Sequence, residues 1–219
     1  MDGPRILFKL STRSRPTAAR DAINNILDNC QDDNFKILVT LDVNDHSMTS
    51  FTFPHPKVIL HWGVSNNKIH AVNRSVELLK EWDILVATSD DMRFMVPGFD
   101  KIIREDFNNN FNQFLHYNDG FQKSNVCTLS IIGRDYYYRD GYIYHPSYVS
   151  LWSDVEATEV AKERGCYKYM GDDKIIFKHF HPAWGLGQND AQYNAQNNVA
   201  LSEHDKANYL KRKQDGYPA

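Results

Sequence analysis

The feature that most restricts the fold is a set of short, continuously apolar runs, each stopping abruptly at polar or acidic residues. The run at 84–88 lies within WDILVATSDDM and stops at Ser89, Asp90 and Asp91. RILFKL (5–10) passes into STRSRP, FKILVTL (35–41) into the acids of LDVND, and KVILH (57–61) into WGVSNN. Runs of this length without polar alternation read as strands buried on both faces, the pattern of a parallel sheet. Between them lie segments of helical period. Ile23, Ile26, Leu27 and Cys30 follow Pro16, which is suited to open a helix, and Ile69, Val72, Val76 and Leu79 predict a second helix leading into the run at 84–88. The order β-α-β-β-α-β argues an α/β fold with a mostly parallel, doubly wound sheet.

In such sheets ligands bind at the carboxyl ends of the strands. Asp90 and Asp91 stand there, and adjacent side chains on extended backbone point apart. One acid can face a cation while the other orients a sugar or a backbone group. Oxygen ligands suit magnesium or manganese held jointly with substrate phosphates. The competing reading is a polar turn, since Asp is common in turns. The loop STRSRP after the first strand, with its hydroxyls and arginines, is a candidate phosphate- or nucleotide-facing loop.

Composition removes several classes. A formal charge of -3 without a Lys/Arg cluster argues against nucleic-acid binding through a basic field. No apolar span of about 18 residues is present to cross a membrane. The apolar run near the N-terminus is too short for a secretory signal. Cys30, Cys127 and Cys166 are odd in number and far apart, which suggests reduced thiols and a cytoplasmic setting. A length of 219 residues suits one domain, or one domain with a tail.

Beyond Met92 the pattern changes. A short helix is expected around Ile102 and Ile103, and further strands, antiparallel additions to the sheet, at 114–117 and 126–132. The Tyr-rich segment GRDYYYRDGYIYHPSY reads as a loop and hairpin facing the ligand edge, although most of its rings suit a packed second layer. Ser153 and Glu156 have capping-box spacing, predicting a helix from Asp154 to Gly165. Asp154 then falls in the first turn, where the helix dipole favours an ionised carboxylate, and first-turn acids also occur simply because they stabilise helices. KIIFKHFH (174–181) reads as a strand with His179 and His181 on one face, followed by a polar tail with a charged helix near 202–213. Trp152 and Trp184 can stack on a sugar or simply pack.

Together these pieces resemble the nucleotide-sugar glycosyltransferases of GT-A fold, in particular family-2-like ones. The resemblance rests on the first strand running into STRSRP, the second ending in LDVND, and SNNKIHAVNRSVELLKEWDILVATSDDM in place of the family's helix, strand and DxD-type motif. It also rests on SLWSDVEATEVAKERG as the later acidic motif and HFHPAWG as a C-terminal histidine region, so that it covers most of residues 5–185. Ser89-Asp90-Asp91 departs from a literal Asp-x-Asp. A short chain of this type is also similar to capsid-glycosylating enzymes of chlorella viruses.

The resemblance implies a single GT-A (Rossmann-like) domain with a nucleotide-binding half (1–92), an acceptor and catalytic half (93–185) and the polar tail (186–219). It implies that Asp91 binds Mn2+ (or Mg2+) under the donor diphosphate and that Asp90 places ribose or metal-bound water. Asp42, with Ser11, Thr12 and Arg13, would contact the uracil or ribose, and Lys68 and Asn73 or Arg74 the nucleotide or its phosphates. Asp154 would be the general base, and His179 or His181 would complete the metal shell. The implied partners are a UDP-sugar donor and a glycan or glycoprotein acceptor, with inversion at the anomeric carbon. Two other readings compete: a sugar nucleotidyltransferase, disfavoured because STRSRP lacks glycine, and a non-catalytic nucleotide-sugar-binding module of a larger protein.

Overall fold

The apolar runs form the centre of a seven-stranded sheet. The computed structural model describes residues 3–187 and 189–218. Strands β1 (Ile6–Ser11), β2 (Phe35–Asp42), β3 (Val58–Gly63) and β4 (Ile84–Ser89) are mutually parallel. After β5 (Met92–Phe94), the short strands β6 (Phe114–His116), β7 (Ile131–Gly133) and β8 (Tyr167–Tyr169) extend the sheet beyond β4. The order is β3-β2-β1-β4-β7-β6-β8, with β7 antiparallel to β4 and β6. β9 (Phe177–His179) joins β5 in a separate antiparallel pair.

Helices cover both faces. α1 (Pro16–Asn29) begins on its proline and buries Ala19, Ala22, Ile23 and Ile26. It lies on the same side as α3 (Phe99–Phe107), where the ring of Phe8 meets Phe35, Phe94 and Phe99, each at 5.8 Å between centroids. Edge contacts of this kind add about 0.5–1.5 kcal/mol each beyond burial. The other face carries α2 (Lys68–Asn73), α4 (Arg134–Tyr137), α5 (Ser153–Glu163) and α7 (Val199–Gln214), packed on Leu7, Leu38 and Leu85. Gly133 is required by close approach, since a Cβ there would lie 2.1 Å from the Phe111 carbonyl oxygen. Lys9 is buried in β1; its Nζ donates to Thr40 Oγ1 at 2.6 Å and to the Ala71 carbonyl at 2.9 Å, and burial holds its pKa well below the usual lysine range.

Several local expectations are corrected. The helix expected across Ile69–Leu79 stops at Asn73: Arg74 is extended, Ser75 is left-handed at φ 75°, and Val76–Leu78 is only a 3-10 turn. The side chain of Asn73 holds the break, because it bonds the backbone of Ile143 and Tyr144. The strand expected over 126–132 is reduced to β7. The Tyr-rich hairpin is instead α4 and irregular turns, with Tyr136, Tyr137 and Tyr148 buried in the second core. The strand expected over 174–181 is confined to β9, with His181 outside it.

The capping box at Ser153 is not formed. Left-handed Trp152 is the N-cap, without a side-chain cap, while Glu156 pairs with Arg212 of α7 and accepts from the Tyr148 hydroxyl at 2.6 Å. The polar tail carries α6 (Ala191–Gln196) as well as α7, both packed on the domain. No helix among the described residues is long and apolar enough to cross a membrane.

His116 gives this fold a pH signature. It is 1% exposed, its Nδ1 lies 2.7 Å from the Tyr167 hydroxyl, and burial lowers its pKa to about 4, with the Lys162 cation assisting and Asp119 opposing. Between about 4 and the ordinary 6.5 the unfolded chain binds the extra proton, so stability rises with pH through that window. We expect a slope of up to about 1.4 kcal/mol per pH unit there from this residue. Urea unfolding of His116→Gln at pH 4.5 and 7 should show a flatter dependence; an unchanged slope would discount the residue.

Candidate active site

The carboxyl ends of β1, β2 and β4 open into a cleft of about 510 Å³, within the range of small-molecule sites. β1 has β2 on one side and β4 on the other, so the strand order reverses beside it. That reversal opens a crevice between strand ends. Register places Ser11 beside both Thr40 and Ser89. Ser11, Thr12, Arg13, Asp42, Lys68, Asp90, Asp91, Asp154, His179 and His181 all line this cleft.

The extended backbone expected at Asp90 and Asp91 is instead the turn that joins β4 to β5, and there the two side chains take different partners. Asp90 turns inward: Thr12 Oγ1 donates to it at 2.6 Å and Arg15 Nη1 at 3.1 Å. Burial raises its pKa, and the neighbouring Asp91 charge adds to the rise, against the bonds from Thr12 and Arg15. Asp42 is held between two guanidinium groups, with Arg13 Nη1 at 2.8 Å and Arg74 Nη2 at 3.4 Å. Arg74 also reaches the Leu41 carbonyl and Ser65. Neither Arg74 nor Asn73 is among the residues lining the cleft. Arg74 stands behind Asp42, and Asn73 is committed to the 143–144 backbone.

Pairing of β5 with β9 sets Met92 opposite His179, and the Phe180 N–H donates to the Asp91 carbonyl at 2.8 Å. This brings His179 Nε2 to 3.3 Å from Asp91 Oδ2. Burial disfavours the ionised Asp91, but the bond and charge of His179, the Ser89 hydroxyl and the Lys68 charge outweigh it and hold the carboxyl well below its usual range. His181 lies against His179, with ring centroids 5.0 Å apart. Burial lowers His181 to about 4, aided by the His179, Lys68 and Arg15 charges and opposed by Asp91, so it is neutral near pH 7. Its Nδ1 accepts the Ala183 N–H at 3.3 Å, which puts the ring proton on Nε2 and makes that atom a donor.

Among the described residues no group of three or more His, Cys, Asp or Glu side chains is placed to enclose a metal ion by itself. Asp91 and His179 nevertheless fit a cation shared with substrate. Asp91 Oδ2 and His179 Nε2, 3.3 Å apart, are spaced so that bonds of about 2.1 Å from each can meet at one point.

Asp154 reaches the cleft from the first turn of α5, partly open to it, with Oδ1 accepting the Val155 N–H at 2.9 Å. Burial raises its pKa, against the Lys68 and His179 charges and the backbone bonds. Asp91 and Asp154 feel the same Lys68 and His179 charges, as members of one site.

Further residues complete the cleft: Arg15, Asn44 and Ser150, from motifs already marked but not singled out, and Thr128, Gln192, Tyr193, Gln196 and Asn197, which were not marked. Arg15 was within reach, as it shares the loop with Arg13. The α6 residues lie in a polar stretch with no periodic signal.

Fold and cleft define a doubly wound α/β protein with a Rossmann-like domain. Among solved structures the chain is similar to a mannosyltransferase from Pyrobaculum calidifontis, in complex with GDP-Man and Mn2+, with a TM-score of 0.64 and 14% identity. The match covers 81% of this chain and 57% of that one, so this chain spans little more than half the mannosyltransferase's length. No family model and no curated protein matches the sequence. The likeness establishes the fold and carries nothing about a viral capsid origin.

Proposed function

We propose that the chain is a metal-dependent GT-A-type glycosyltransferase that moves a sugar from a nucleoside-diphosphate donor, a UDP-sugar first, to a hydroxyl of a glycan or glycoprotein, with inversion. The observation that carries this reading is the convergence of Asp91 and Asp154, distant in sequence, on one cleft with the polar ends of β1, β2 and β4. Residues 1–92 would supply the nucleotide half and 93–185 the acceptor half, with the 186–219 segment adding α6.

Ser11, Thr12, Arg13 and Asp42 would hold base and ribose, with Arg74 supporting Asp42 from behind, while Asn73 holds the 143–144 backbone. Lys68 and the Nε2–H of His181 would face the diphosphate. Asp91 and His179 would hold a divalent cation, manganese ahead of magnesium because of the imidazole, which supplies a Lewis acid and template for the leaving group. Asp90, bonded to Thr12 and Arg15, sets the turn from which Asp91 projects. Asp154, with Oδ2 open, would take the acceptor proton, and its raised pKa makes it a stronger base than a free aspartate.

Calorimetry with UDP-, GDP- and dTDP-sugars, with and without Mn2+, tests this; the GDP-Man of the structural neighbour places guanosine donors in the panel. Manganese should strengthen UDP binding at least tenfold, and Asp91→Ala should abolish that gain. Equal metal-independent binding by wild type and Asp91→Ala removes the metal assignment, and no turnover with any donor favours the non-catalytic module.

A further inference from the structure

Helix α6 is tied to both ends of the candidate reaction centre. At its start the N-cap Asp190 accepts from Arg15 Nε and Nη2, each at 2.7 Å, and Arg15 Nη1 also donates to Asp90 at 3.1 Å. In its middle the ring of Tyr193 packs edge-on against His181 at 5.1 Å. At its end the Gln196 carbonyl accepts the Ser150 hydroxyl at 2.8 Å, and Ser150 belongs to the loop that leads into Asp154. The helix thus runs from the aspartate beside Asp91 to the segment that presents Asp154.

Gln192 and Gln196 are four residues apart and share a face of the helix. Both line the cleft, and neither side-chain amide has a hydrogen-bond partner among the described residues. Asn197 differs, since its amide donates to the Tyr193 carbonyl at 2.9 Å.

Resting on the functional reading above, we propose that the Gln192–Gln196 amide pair recognises the hydroxyl groups of the transferred sugar. In-line displacement sets the anomeric carbon between the departing diphosphate and the attacking hydroxyl. The sugar ring must therefore occupy the gap between Asp91 and Asp154 that α6 spans. Each amide offers both donors and an acceptor, the chemistry that reads a hydroxyl. Being uncharged, the pair selects a neutral hexose or pentose over a uronic acid, whose carboxylate would require a cation in its place.

The test is calorimetry in saturating Mn2+ on wild type and Gln192→Ala/Gln196→Ala, using UDP with UDP-glucose and GDP with GDP-mannose. Alanine is the better helix former, so the variant keeps α6. For the nucleotide series that binds, the variant should bind the free nucleotide within twofold of wild type and the nucleotide sugar about 10- to 100-fold more weakly. Equal weakening of both ligands overturns the assignment, as does an unchanged nucleotide-sugar Kd or a defect confined to acceptor KM. If wild type binds none of these four ligands, nor dTDP or a dTDP-sugar, the functional reading itself fails and this assignment falls with it.

Discussion

Asp154→Asn should lower kcat by about 10²–10⁴, the usual contribution of a positioned general base, while UDP affinity with Mn2+ stays within twofold. The substitution keeps size and removes only the proton acceptor. Oδ1 already accepts the Val155 N–H, so an asparagine oxygen can take its place without disturbing α5. The pH profile gives a second readout. In the proposed mechanism the base works as a carboxylate, so kcat/KM should fall as pH drops through the Asp154 pKa. Because burial raises that pKa, the acid limb should lie above the ordinary aspartate value of about 3.9. Wild-type rates in the asparagine variant would disqualify Asp154, and a simultaneous loss of UDP binding would assign it to the donor site instead.

The second large effect is on stability. Arg212→Met should cost about 3–5 kcal/mol, because removing one partner of a buried ion pair leaves the other charge uncompensated. Glu156 is 3% exposed and Arg212 9%; the guanidinium donates from Nε at 2.9 Å to Oε2 and from Nη2 at 2.9 Å to Oε1. The Tyr148 hydroxyl alone would then face the carboxylate. Replacing both partners, Glu156→Leu with Arg212→Leu, should recover most of the loss, since well-packed apolar pairs commonly substitute for buried ion pairs. Urea unfolding of the two variants checks this, and a single variant within 1 kcal/mol of wild type would show that the pair does not hold α7 to α5.

Much of this architecture could be read from local pattern. β1, β2 and β4 were legible because burial on both faces demands continuous apolar runs, and α1 because Pro16 and the period of Ile23 and Ile26 agree. The polar strand ends marked the cleft, since a parallel sheet collects its carboxyl ends on one edge. What escaped depended on distant partners. The period of Ile69, Val72, Val76 and Leu79 continues through the break at Asn73, since residues on both sides still pack on one core. Only the backbone at 143–144 explains why Asn73 ends the helix. Ser153 and Glu156 had capping spacing, yet Arg212 engages the glutamate more strongly than a backbone N–H would. His179 meets Asp91 through a strand pair three residues long, too short to register as a pattern.

The loop before Asp154 also depends on the tail. The Asp205 carboxylate accepts the N–H groups of Val149, Ser150 and Leu151, and Trp152 keeps its left-handed turn while packed on Tyr209 at 5.3 Å. A ribosome that has released the first 150 residues has already delivered strands β1 to β7, but nothing yet fixes Asp154 opposite them. The turn at 149–152 can therefore take its final shape only after α7 has been made, so the Asp154 side of the cleft is the last part of the molecule to be completed in synthesis.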